Sequence, residues 1–241
     1  MNSSRHHGIT GSGDLFRSVF LAGLLMCVGQ AAIAHSLDVY VKETSTGSGE
    51  SSNLTLPVGT ANYFIGFQNI LVALDSSGTG ATSFAALCVD VSHYASTSYQ
   101  ANYDPSSNSV ASVFPTQVSD IENLYNLYYA GTIGNNAKAA AFQLALWEIS
   151  QDDENLHTGV VQVTGSTDST LVTNAANLLS NLSYSGPNLY NLTMYQVDRS
   201  IAGSSGQSYI VAQPVPEPEA CAMLLAGLGL VGFAARGRKR S

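Results

Sequence analysis

Cys88 and Gln143 are the two residues of this sequence whose types and surroundings best suit them to chemistry. Cys88 lies in the run Ala86-Leu87-Cys88-Val89-Asp90, and a thiol is a soft nucleophile. Gln143 lies in Ala141-Phe142-Gln143-Leu144-Ala145-Leu146-Trp147-Glu148-Ile149. On a helix, Gln143 and Trp147 are four residues apart and share a face. A carboxamide amid alanine and leucine costs about 1–3 kcal/mol if buried without partners. On a strand, alternation puts Leu87, Val89 and Val91 on one face and Phe84, Cys88 and Asp90 on the other. The first face reads as core, the second as a mixed surface where another element can meet the thiol.

Other residues offer weaker chemistry. Cys88, Asp90 and His93 are the residue types of a thiol hydrolase, but catalytic Cys and His normally meet across a fold rather than along one strand. Asp152-Asp153-Glu154 has hard oxygens that suit calcium, yet lacks the glycine turn and spaced ligands of a binding loop and reads as a solvated acidic turn. His157 stands alone near it. The tyrosines, among them Tyr94, Tyr99, Tyr125 and Tyr190, can stack on sugars or pack a core. No metal site and no cofactor is expected.

The elements that must position Cys88 and Gln143 follow from patterning. His35–Val41, Tyr63–Leu74 (with a turn near Gln68-Asn69) and Phe84–Val91 read as strands. Ser45–Asn53 is Ser/Gly-rich and reads as loop, and 92–115 as a long loop with one short strand. Ser119-Asp120-Ile121-Glu122 can cap a helix running to Tyr129. Asn135–Ile149 is the strongest helix, apolar nearly all round and therefore buried. Gly159–Val163 reads as strand, Ser169–Leu182 as helix and Tyr190–Val197 as strand. The expectation is an α+β fold: a β-sheet or sandwich-like body, residues 35–205, with an inserted helical region. Residues 206–215 are expected to be a linker carrying one last strand.

The paired segments around Cys88 and Gln143 resemble bacterial thioester domains of surface adhesins. In that family a strand Cys and a helical Gln, four residues before a Trp, condense with loss of ammonia. The resemblance implies that Cys88 is the thioester sulfur, Gln143 the acyl donor, and Trp147 and Phe142 shields against water. It implies covalent attachment to surface amines or hydroxyls, once per molecule, so the protein is expected not to be an enzyme. The bare residues also allow Cys88 to be a small buried hydrophobe and Gln143 an ordinary helix residue. The body is then a non-reactive structural or polysaccharide-associated biofilm matrix protein.

Charge divides the chain of 241 residues into a body and two ends. Six of the nine Lys and Arg lie in the first 17 and last six residues, while 35–215 carries three cations against 14 carboxylates. The overall charge of −8 excludes a nucleic-acid partner, which needs a basic face. Three cysteines exclude a disulfide-dense scaffold. Arg5, His6, His7 and Arg17, the apolar Ser18–Gly29 and Ala32-Ile33-Ala34 read as a signal peptide over residues 1–34.

At the other end, Val215-Pro216-Glu217-Pro218 precedes the apolar run 220–235 and Arg236-Gly237-Arg238-Lys239-Arg240. Sixteen helical residues span about 24 Å, slightly short of the ~30 Å hydrocarbon core. This order resembles the PEP-CTERM sorting signal of Gram-negative bacteria over residues 216–241. The resemblance implies a single transmembrane sorting helix in the inner membrane and processing by an exosortase at Pro-Glu-Pro. The expected destination is the cell envelope or extracellular matrix, with exopolysaccharide among the possible partners.

Overall fold

Val39, Val41, Leu54 and Leu56 are buried along one long strand, β1 (Val39–Leu56), which turns through Pro57 and Val58 into β2 (Gly59–Ala73). In this computed structural model residues 38–105, 108–151, 154–216 and 226–228 are described. The chain divides into two units, and the one spanning Ala34–Val215 carries nearly all of the described residues. The expected signal peptide and most of the sorting segment lie outside them. So do Asp152 and Asp153 of the acidic turn.

The remaining strands are β3 (Thr82–Cys88), β4 (Gln100–Tyr103), β5 (Gln162–Val163), β6 (Tyr190–Tyr195) and β7 (Tyr209–Pro214). Every pairing is antiparallel, in the order β4-β1-β2-β3-β7-β6, with β5 added on β1. The helices are α1 (Val110–Val113), α2 (Val118–Tyr128), α3 (Asn136–Gln151) and α4 (Ser169–Leu179).

The expected α+β, sandwich-like fold is corrected: the body is mostly sheet, a half-barrel, with few helices. Two misread segments enlarge the sheet. Residues 45–53 are not a loop but the middle of β1, where register shifts between Glu43 and Ser45 and between Thr46 and Gly49 absorb the poor strand formers. Pairing with a neighbouring strand overrides the low propensity of Ser and Gly. The turn expected at Gln68-Asn69 does not occur. Asn69 instead donates from Nδ2 to Ser45 Oγ (3.0 Å) and Thr46 O (3.3 Å), satisfying the irregular stretch of β1. Residues 206–215, expected as a linker carrying one last strand, contain β7, and that strand lies between β3 and β6 inside the sheet.

Helix α3 forms as expected. The Asn135 side chain accepts from the Lys138 N–H (3.0 Å), capping its first turn. Every residue from Ala139 to Ser150 is buried. Burying a side chain such as Leu144 or Phe142 stabilises the fold by about 1.5–3 kcal/mol. One core joins Ala140, Ala141, Leu144 and Trp147 of α3 to Ile65, Ala86 and Cys88. A second joins Ala139, Phe142, Ala145, Leu146 and Ile149 to Phe67, Leu87 and Val89. Both faces of β3 are therefore covered at its Ala86–Cys88 end. Helix α2 begins one residue before Ser119 and has no side-chain cap. Helix α4 is capped by Asp168, whose Oδ1 accepts from Thr170 N (2.8 Å) and Leu171 N (2.9 Å).

The expected transmembrane sorting helix over 220–235 is described only at 226–228, which are helical. Among the described residues no helix is long and apolar enough to cross a membrane.

Candidate functional site

The end of β3 and the middle of α3 meet at Cys88 and Gln143. Val89 N–H bonds to Ser208 O (2.9 Å) on the β7 side. Successive residues of a strand alternate their backbone groups, so the N–H and C=O of Cys88 face the β2 side. The ladder with β2 has already ended there, at Phe67 opposite Leu87. The Gln143 carboxamide takes the place of the missing strand. Cys88 N–H donates to Gln143 Oε1 (3.1 Å), and Gln143 Nε2 donates to Cys88 O (2.7 Å). Both residues are buried, Gln143 completely. One turn pair further along the helix, Gln151 Nε2 donates to Val89 O (2.8 Å). Gln143, Trp147 and Gln151 thus form one stripe at i, i+4 and i+8 facing the strand end.

The thiol itself turns from the carboxamide toward Asp90. Cys88 Sγ donates to Asp90 O (3.2 Å) and accepts from Asp90 N–H (3.3 Å). The Trp147 indole N–H favours the thiolate, although it makes no hydrogen bond of ordinary geometry. Burial dominates and pushes the thiol up to about 12. Such a thiol is ionised to roughly one part in 10⁵ at neutral pH. The Cys88 N–H on Gln143 Oε1 is also placed to steady negative charge on that oxygen when the carbonyl carbon is attacked.

Asp90 is held on two sides. Arg199 reaches Oδ2 at 2.6 Å, and His93 Nδ1 lies 2.9 and 3.0 Å from the two carboxylate oxygens. The hydrolase triplet of Cys88, Asp90 and His93 is thus gathered in one place. Among the described residues, however, the imidazole bonds to the carboxylate and not to the thiol.

Of the two expected shields, Trp147 shares a core with Cys88. Phe142 does not. It packs edge-on against Tyr125 (5.0 Å) and lies 6.1 Å from Tyr129, in the other core. It precedes Gln143 on the helix and so points about 100° away. Tyr103, Tyr125 and Tyr129 are buried packing residues rather than a sugar platform. His157 is exposed and borders a cavity of about 490 Å³ beside α4. Neither Cys88 nor Gln143 lines that larger cavity, and the one over Cys88 is only about 50 Å³. Gln151 and Arg199 escaped the sequence reading. The signal for Gln151 was its eight-residue spacing from Gln143; nothing local marks Arg199, which meets Asp90 from 109 residues away.

Residues 214–239 match the PEP-CTERM protein-sorting motif. Of that stretch the motif residues Val215 and Pro216 are described, while Glu217 and Pro218 lie outside the described residues. No curated protein and no solved structure matches the chain. The motif covers a small C-terminal part of the sequence and bears on its address, not on its body. It suggests an exported protein that is sorted by an exosortase and anchored transiently before release.

Proposed function

We propose that the body of this exported, exosortase-sorted protein carries an internal thioester between Cys88 and Gln143, used once to acylate an amine or hydroxyl on a surface or in exopolysaccharide. The thiol sulfur bonds to Gln143 Cδ, the carboxamide nitrogen leaves as ammonia with the thiol proton, and Oε1 stays on the Cys88 N–H. The observation that carries this reading is the fully buried Gln143 carboxamide bonded to the backbone of the one cysteine in the body. Each molecule reacts once, so the protein is not an enzyme. Its destination is the envelope or extracellular matrix of a Gram-negative cell, reached by way of the inner membrane through residues 220–235.

A second reading draws on the same contact. Gln143 Nε2 donates to Cys88 O at 2.7 Å, a bond that ammonia loss would forfeit. In that reading the carboxamide is a permanent structural clip in a non-reactive matrix protein.

Intact mass separates the two. The full-length protein, as purified, should weigh one ammonia less than its sequence, with Cys88→Ala returning to its own sequence mass. Methylamine should then add at Gln143 and expose a thiol to maleimide. Full sequence mass in fresh protein would leave only the structural clip.

A further inference from the structure

We propose that His93, oriented by Asp90, is the base that takes the proton from a nucleophile attacking the Cys88–Gln143 thioester, a role that rests on the thioester reading above. The cavity of about 50 Å³ over Cys88 has Asp90, His93, Tyr63, Tyr94 and Trp147 in its wall. A volume of this size admits a water or the head of a primary amine. His93 is about half exposed at its mouth, while Asp90 is mostly covered. With a carboxylate facing Nδ1 at 2.9 and 3.0 Å, that nitrogen carries the ring proton and Nε2 is left to accept one.

The dyad is built rather than accidental. Asp90 is pinned by Arg199 (2.6 Å), which is itself held by Gly206 O (2.6 Å). Its loop is tied down by Gln207 Nε2 donating to His93 O (2.6 Å). A separate observation concerns Trp147, in the wall of the same cavity. The Trp147 indole nitrogen is buried without an ordinary hydrogen-bond partner, in a residue only 5% exposed. With the Asp90 N–H it supplies donors beside the sulfur, where negative charge appears as the carbon–sulfur bond breaks.

The step balances. The amine nitrogen bonds to the former Gln143 carbonyl carbon and loses one proton to His93 Nε2. The carbon–sulfur bond breaks with its electron pair on Cys88 Sγ, and the proton passes from His93 to that sulfur. The products are a substituted amide and a thiol. A sulfur that resists ionisation in its buried setting needs that proton to leave.

Full-length wild type, His93→Gln and His93→Ala should all show the mass deficit of one ammonia. Methylamine addition, followed by mass, should slow about 100-fold in both variants. Added imidazole should restore speed to His93→Ala, which it would not do for a residue with a merely structural role. Sequence mass in the wild type overturns the thioester and this role together. A mass deficit with an unchanged methylamine rate, or a slow rate that imidazole does not rescue, overturns the role of His93 alone. Loss of the deficit in both variants assigns His93 to forming the bond rather than transferring the acyl group, and also overturns the proposal as stated.

Discussion

A thiol and a carboxamide separated by 55 residues are brought within hydrogen-bond range because a strand runs out of partners where a helix offers one. The proposed thioester has a measurable consequence. A covalent link closing a loop of this length is worth about 4 kcal/mol in the chain-entropy picture, whereas truncating one buried sulfur costs about 1 kcal/mol. Cys88→Ala should therefore lower unfolding free energy by about 4–5 kcal/mol in urea titrations. A loss near the smaller figure would mean that the residues are only hydrogen-bonded. Both positions were legible in the sequence, since a cysteine on a mixed strand face and an amide in an apolar helix each demand a partner. That the amide would hold the Cys88 backbone while the thiol turned to Asp90 was not legible. It depends on where the β2 ladder stops.

At the scale of elements, β1 and β2 hold the irregularity that makes the site. Gly66 faces Gly49 across the hairpin at φ +147°, a conformation L side chains rarely adopt. A Cβ there would run into Ser48 O and Gly49 Cα. Gly66→Ala should destabilise the protein by about 1–3 kcal/mol. It should also disturb the end of the ladder opposite Cys88, slowing methylamine addition in the same sample. An unchanged urea midpoint would show that the hairpin relaxes around the new methyl group. Helix α3 was readable because its alanines and leucines are apolar all round, which only a buried helix tolerates. The middle of β1 was not, because Ser-Thr-Gly-Ser-Gly has the composition of a loop, and only pairing with β2 and the side chain of Asn69 makes it strand.

Over the whole body, the half-barrel and α3 enclose several phenols. Tyr103, Tyr125 and Tyr209 are about 1% exposed, and desolvation raises all three. In the unfolded chain each would ionise near pH 10, while in the fold they stay protonated. The unfolded state then binds fewer protons above about pH 10, so the contribution of these three groups is constant below about pH 10 and falls by about 4 kcal/mol per pH unit above it. Urea midpoints taken from about pH 8 to about pH 11.5 should fall steeply only past pH 10, and a flat profile would contradict the burial of these rings.

By itself, the order of residues determined the address of the protein and singled out Cys88 and Gln143, which the fold brings into hydrogen-bond contact. A Pro-Glu-Pro triplet, an apolar run and an arginine cluster are read in linear sequence, and the demand of a buried amide for a partner is a property of the residue. Tertiary structure alone decided that the sheet forms a half-barrel, that the last strand takes a place between β3 and β6, and that Arg199 reaches Asp90 beside the thiol. Those outcomes depend on which backbone groups remain unpaired once every other strand is in place, a condition that no local stretch of chain encodes.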